Sequence, residues 1–453
     1  MKKRLFIGIL ACLLLLSSCG ENAQTPTDVP SVPSDVPSET GKTRESFRLP
    51  YNADSRLNPF VTDSMLNLAA AWLVAEPLML PNVDGTAAPV LASSVTPSED
   101  FLTYTVTLRD DVLFSDGTPL TVSDVLASAD RARTGTFASC LNNVTAVTAA
   151  GENALAFSLV SPDPSFAAML SFPVLKEGTA VETFIGTGAF AFSGTEGTLT
   201  RNPHYREQVR SERIELIAVE HAAALHAMLS ADQIDAYYTE HPAKTSGSFS
   251  ASECKTSTRG FLAFRTADGL CADETFRSLL VQTIDTARLI ADAEIFAEPV
   301  ERQPSDGTLE AYLISLGYTS VDTEGYRVKT LNRKTVPAEL TLACLQNESS
   351  VTAANAIAEQ LQAVGLRVLV TPCETWQTAS FDLFFGEITL LPNGDVSELY
   401  ALTETDPISE DPLPAAFLYN CKGKLLYSRN FAEGVGTDAF CPYKNVQNWL
   451  LYE

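Results

Sequence analysis

Two stretches of the sequence predict an α/β protein. Residues 338–371 read as strand, helix and strand: AELTLACL, then a helical stripe of Ala354, Ile357, Ala358 and Leu361 over 351–364, then Gly365 placed to end the helix, then the buried strand LRVLV. A βαβ unit of this kind closes right-handed and builds a parallel sheet. In 101–133, FLTYTVTLRDDVLFSDGTPLTVSDVLASADRAR, Tyr104, Val106 and Leu108 alternate with Thr105 and Thr107 as in a half-buried strand. Ser115, Asp116 and Gly117 supply a tight turn, and Pro119 bars a helix from extending backwards. Thr121 and Asp124 have capping-box spacing at the head of a helix whose apolar stripe is Val125, Leu126 and Ala129. A chain of 453 residues has room for two or three domains and a sizeable core.

From the N-terminus, Lys2, Lys3 and Arg4 precede an apolar run over 5–16. The run is short of the about 20 residues a bilayer span needs, and its flanks are those of a secretory signal. Leu16-Ser17-Ser18-Cys19 resembles the bacterial lipobox. That resemblance implies that 1–19 is a lipoprotein signal peptide and that the Cys19 thiol accepts diacylglycerol. Acyl chains at about 0.8 kcal/mol per buried CH2 then anchor the protein to the bacterial cell membrane, on its extracytoplasmic side. Residues 20–46 interleave Pro26, Pro30, Pro33 and Pro37 with Ser, Thr, Asp and Glu, which predicts a disordered tether with an r.m.s. span of roughly 30 Å.

Globular sequence starts at residue 47. Residues 65–75 read as a buried helix broken by Pro77, 81–85 as a loop, and 154–160 as a strand closed off by Pro162 and Pro164. Gly186-Thr187-Gly188-Ala189-Phe190-Ala191 formally matches a dinucleotide-binding fingerprint. The segment behind it, GTLTRNPHY, alternates as a strand and then turns, whereas the fingerprint must open a helix onto a pyrophosphate. That reading is rejected. Further on, 214–219 is an apolar strand, 222–230 a helix, and Phe381-Asp382-Leu383 the strand after the βαβ unit.

The wording of 101–133 resembles the signature of family 5 extracellular solute-binding proteins, the peptide and nickel receptors of ABC importers. Shared are an aromatic-rich strand, Leu-Arg, a Phe, an Asp-Gly turn, Pro-Leu-Thr, and Asp-Val at a helix start. GTGAF followed by Arg201-Asn202-Pro203-His204-Tyr205 is a second match. TRGFLAF from Thr258 resembles the family's crossing strand, with Arg265 where asparagine is usual. Residues 276–290 resemble a helix ending in Ile-Asp-Arg, with Thr286 for the arginine. The resemblance implies an α/β, two-lobed, hinge-closing fold of the type II periplasmic-binding-protein kind with an extra inserted domain. The first lobe would take 47–75, 173–258 and 413–453, the inserted small domain 76–172, and the second lobe 259–412. It further implies a monomeric receptor, not an enzyme, that captures a peptide or similar small ligand and delivers it to ABC permease subunits. In peptide-binding relatives an aspartate after the strand matching 381–385 meets the ligand's α-ammonium, and Asp395 in LLPNGDVSEL takes that place. The same scaffold holding a nickel chelate, haem or oligosaccharide is the alternative, and a secreted lipoprotein hydrolase is the reading from another class.

Composition narrows the choice. The formal net charge is −25, and −28 once Lys2, Lys3 and Arg4 leave with a leader. Such a surface repels phosphate backbones, so nucleic acid is not an expected partner. The chain lacks G-x-S-x-G, H-E-x-x-H and C-x-x-C, and Gly41-Lys42-Thr43 fails as a phosphate loop because the earlier glycine it needs is Val36. No cofactor is expected. His221 and His226 are five apart, badly spaced for one helix face, so no metal site is expected among the four histidines. Beyond Cys12 and Cys19 stand seven cysteines, an odd number: either buried free thiols or one or two bridges, with Cys421 and Cys441 the nearest pair.

Overall fold

The computed structural model describes residues 42–180, 184–193, 197–242, 247–302, 307–403, 415–431 and 434–453. Cys19, the leader and nearly all of the stretch read as tether lie outside them. Two large hydrophobic cores divide the described chain. The first gathers Phe47, Leu49, Val106, Phe157, Phe172, Phe190, Ile214 and Trp449; the second gathers Leu262, Phe276, Leu342, Ile357, Leu383 and Tyr419. No helix among the described residues is long and apolar enough to cross a membrane.

Around the first core, Ser46–Tyr51 runs parallel to Arg213–Ala218 in a four-stranded sheet completed by Thr198–Arg201 and Phe190–Phe192. Thr43–Arg44, inside the stretch read as tether, is already a strand, paired antiparallel with Leu451–Tyr452 near the other end of the chain. A partner so distant leaves no local signal in the sequence. Helix Met65–Ala71 stops short of the expected residue 75, because the Leu73 and Val74 carbonyls turn to accept from Phe190 N (3.0 Å) and Gly188 N (2.8 Å).

A second, antiparallel sheet has the order Ala92–Pro97, Thr103–Leu108, Ala154–Leu159, Val144–Ala149. Helix Val122–Ala132 follows from the capping box read in the sequence, with both reciprocal bonds between Thr121 and Asp124 formed. It buries Val125, Ala129 and Ala132.

The family-like motifs meet at one joint between these two sheets. A Cβ on Gly186 would lie 2.1 Å from the Val74 carbonyl oxygen, and one on Gly188 2.5 Å from that of Leu73, so only glycine lets this hairpin lie on the helix end. Ser115 N donates to Gly186 O (3.0 Å), and Asn202 Nδ2 to Gly188 O (2.8 Å). The His204 ring sits over Gly117, where a Cβ would stand 3.1 Å from Nε2. Beneath them Arg206 holds buried Glu76 by two 2.7 Å bonds. These motifs build the scaffold.

The second core is covered by the βαβ unit. Glu339–Leu345 runs parallel to Arg367–Cys373 and to Leu383–Thr389, helix Glu348–Gln362 packs against them, and Gly365 takes φ +91° at the helix end. Two long antiparallel strands join the lobes. Phe249–Phe264 pairs with both Leu383–Thr389 and Ala415–Ser428. The latter places Leu425 in the first core and Leu418 and Tyr419 in the second. Their ladder shifts register between Lys255 and Arg259 and again between Gly260 and Phe261, and such bulges bend a strand pair. All seven described cysteines are free thiols, Cys421 and Cys441 included.

Candidate functional site

Where the long strands pass between the lobes, two adjoining cavities open above them. They share Glu240, Thr258 and Thr389. The first, about 190 Å³, is mostly apolar, with Trp72, Leu68, Phe137 and Phe440 in its wall. Trp72 and Phe137 meet edge to face at 6.0 Å, an arrangement aromatic pairs favour. Met65, at the start of the helix flanking this cavity, is 68% exposed. The second, about 360 Å³, is mostly polar and is lined by Glu240, His241 and Glu387 together with Phe296 and Cys421.

Each glutamate is set in place by a tyrosine that a glycine makes room for. Tyr419 lies opposite Gly260 in the ladder, where a Cβ would come within 2.1 Å of the ring. The ring crosses that gap and donates its hydroxyl to Glu387 Oε1 at 2.9 Å. Tyr238 crosses Gly423, where a Cβ would stand 2.0 Å from its hydroxyl, and donates to Glu240 Oε1 at 3.4 Å. Thr258 Oγ1 donates to Glu240 Oε2 (3.3 Å) and lies 2.9 Å from Thr389 Oγ1. Cys421 Sγ donates to Glu387 Oε1 at 3.7 Å.

The electrostatics follow from burial. Desolvation, with a smaller push from Glu387, holds the Glu240 carboxyl above the ordinary range, against the Thr258 and Tyr238 hydroxyls and His241. Burial likewise pushes up the Cys421 thiol and the Tyr238 and Tyr419 hydroxyls. Lysines on the same strands are engaged by other acids: Lys422 and Lys424 by Glu253 (2.8 and 2.9 Å), Lys255 by Glu298 (2.6 Å). The polar cavity therefore presents carboxylates supported by hydroxyls.

Asp395, the site residue expected from the resemblance, lies outside both cavities, exposed, on the loop that follows Leu383–Thr389. Its Oδ1 accepts from Ser397 N (2.8 Å) and its Oδ2 from Ser397 Oγ (3.0 Å), at the head of helix Ser397–Thr403. Two residues earlier, Asn393 Nδ2 reaches across to Asp163 Oδ2 of the segment read as the inserted domain, at 3.0 Å. The histidines are dispersed: His204 over Gly117, His226 beside Tyr237 and Phe249, His241 in the polar cavity. Among the described residues no group of three or more His, Cys, Asp or Glu is placed to hold a metal ion. Sequence reading passed over Glu240, Glu387, Trp72 and Phe137. One signal was available, since a glycine inside a strand, as Gly260 and Gly423 are, marks close approach of another group.

The family model of bacterial extracellular solute-binding proteins, family 5, middle region, matches residues 86–409. The chain belongs to this family. Among individual relatives, the dipeptide-binding protein of Lactococcus lactis subsp. cremoris is 24% identical over 269 residues, 49% of this chain and 46% of that protein. The chain thus matches about half the length of that relative. Among solved structures, the nickel ABC transporter protein of Bacillus halodurans superposes with a TM-score of 0.73 at 17% identity, over 90% of this chain and all of that one. An oligopeptide-binding protein of Bacillus subtilis, solved with a nonapeptide, superposes at 0.59 and 17% over 91% of this chain and all of that one. At these identities the structures establish the fold: the two-lobed α/β architecture of type II periplasmic binding proteins. Within it, the family 5 chain has its two cavities between the lobes, where ligand sites concentrate.

Proposed function

We propose that the protein is an extracytoplasmic, lipid-anchored receptor that captures a peptide-like ligand between its lobes and delivers it to the permease of an ABC importer. The observation that carries this reading is the paired cavity above the crossing strands, with an apolar wall that includes Leu68, Trp72 and Phe137 and with carboxylates on the floor. Hinge closure about such strands is the established motion of two-lobed receptors. The names of the relatives, a dipeptide-binding and an oligopeptide-binding protein, support a peptide as ligand. Cys19 in its lipobox supports the anchor, and detergent-phase partitioning that is lost in Cys19→Ser tests it. Asp395 is proposed to meet an α-ammonium at the edge of the cleft. Each of its oxygens holds one bond to Ser397 and keeps a lone pair to offer.

The decisive experiment is native mass spectrometry of the protein purified from its own host, followed by release and identification of what it carries. A short peptide is the expected mass. A nickel chelate, haem or oligosaccharide would overturn the peptide reading.

A further inference from the structure

The two cavities differ in character, and both open onto Glu240, Thr258 and Thr389. The acid pair alone would be no more than an acidic patch. The apolar cavity is an independent call for an occupant. Trp72, Phe137 and Phe440 line a hollow beside the exposed Met65, and apolar surface open to water is stabilised by a ligand that covers it. Whatever fills that hollow ends beside Glu240.

From this we infer that the cleft selects a small ligand carrying an apolar group and, next to it, a cationic group held by Glu240 and Glu387. The inference rests on the cleft being the ligand site, as proposed above, and adds the class of ligand. Two further observations shape it. The lysines of the strand floor are engaged by Glu253 and Glu298, so His241 is the basic side chain of the cavity wall beside Glu240. Gly260 and Gly423 admit the two tyrosines that orient the carboxylates, and a preorganised carboxylate loses less on binding an ammonium than a mobile one. Volume sets the scale. The polar cavity, about 360 Å³, falls in the roughly 300–1,000 Å³ usual for a small-molecule site, and the apolar one adds about 190 Å³. The ligand is of dipeptide or tripeptide size. Asp395 lies outside both cavities and is left to the α-ammonium, so a basic side chain is the group assigned to the glutamates.

The test is calorimetric titration with phenylalanyl-lysine amide and phenylalanyl-norleucine amide, which differ only in the terminal ammonium. The proteins are wild type, Glu240→Gln, Glu387→Gln, the double variant and Trp72→Ala, each checked by circular dichroism for an unchanged fold. Wild type is expected to prefer the lysine peptide by about tenfold to a hundredfold, the range of a charge-assisted bond. The double variant is expected to bind the two alike, while Trp72→Ala weakens both equally and leaves the preference standing. Glu387→Asp, which keeps the charge, is expected to retain part of the preference, as a merely structural role would not. Equal wild-type affinities for the two peptides would overturn the cation subsite and leave the receptor reading intact. Binding of neither amide overturns the inference, and the native mass spectrum then decides separately whether peptides are carried at all.

Discussion

Glu240 stands where burial and function pull in opposite directions. Its carboxyl is held above the ordinary value of 4.5, first by burial and then by Glu387, while Thr258, Tyr238 and His241 act the other way. A carboxyl raised in the folded state adds stability that is complete below pH 4.5 and lost as pH rises through its folded value. A cationic ligand needs the ionised form. Affinity for phenylalanyl-lysine amide is therefore expected to fall on acidification through that elevated value, beginning above pH 4.5, with protons released on binding near it. Calorimetry in buffers of different ionisation enthalpy measures the release, and Glu240→Gln should remove it. At Asp395 the expected result is different. Asp395→Asn keeps the cap on helix Ser397–Thr403 and removes only charge, so peptides with a free N-terminus should bind about tenfold to a hundredfold more weakly while N-acetylated ones are spared. A change under about 0.5 kcal/mol for both peptide forms, typical of surface substitutions, would leave Asp395 as a helix cap alone.

At the scale of elements, the crossing strands floor both cavities and, on the proposed mechanism, form the hinge. Phe249–Phe264 and Ala415–Ser428 pair antiparallel through two register shifts, and the glutamate supports lie on either side of them: Gly260 under Tyr419, Gly423 under Tyr238. Alanine at Gly260 would drive its Cβ to 2.1 Å from a fully buried ring. Overpacking of this kind costs about 1–3 kcal/mol, and the displaced hydroxyl would leave Glu387 without its tyrosine. Gly260→Ala is expected to lower the denaturation midpoint and, where it still folds, to weaken the lysine preference. A variant as stable as wild type with unchanged preference would mean that the ring has another place to go. The helical elements show the same economy of local signals. Asp285 caps Thr286–Asp292 by accepting from Arg288 N at 3.0 Å, so 276–290 is divided between two helices.

Across the whole molecule the lobes touch away from the crossing strands. Leu391 packs on the first core and Asn393 donates to Asp163, on the loop after Leu383–Thr389. This contact brings the second lobe against the segment of Asp163. Removing it should shift the population toward an open form. A partly exposed hydrogen bond contributes about 0.5–1.5 kcal/mol. Asn393→Ala is therefore expected to raise the radius of gyration of the ligand-free protein and to weaken binding about twofold to tenfold, since apparent affinity scales with the competent fraction. Small-angle scattering with and without phenylalanyl-lysine amide checks both. A radius unchanged by the substitution and by bound peptide would count against a closing cleft.

Local patterns alone were enough for the α/β class, the βαβ unit with Gly365 at its helix end, the strand, turn and capped helix of 101–133, and the family to which those motifs point. These are short-range properties: a period of two or of 3.6, a capping pair three residues apart, a glycine where φ must be positive. The motifs that carried the resemblance turned out to build the joint of the first lobe, with Gly186, Gly188 and Gly117 making room for Val74, Leu73 and His204. The cleft depends on long-range packing. Trp72, Glu240, Glu387 and Phe440, from separate stretches of the chain, meet above two long strands that cross between the lobes in a register shifted at two places. A one-residue slip of Leu383–Thr389 against Phe249–Phe264 would turn Glu387 to the other face. No local pattern in the chain encodes that register, because it is fixed by the packing of Tyr419 and Tyr238 against glycines far from them in sequence.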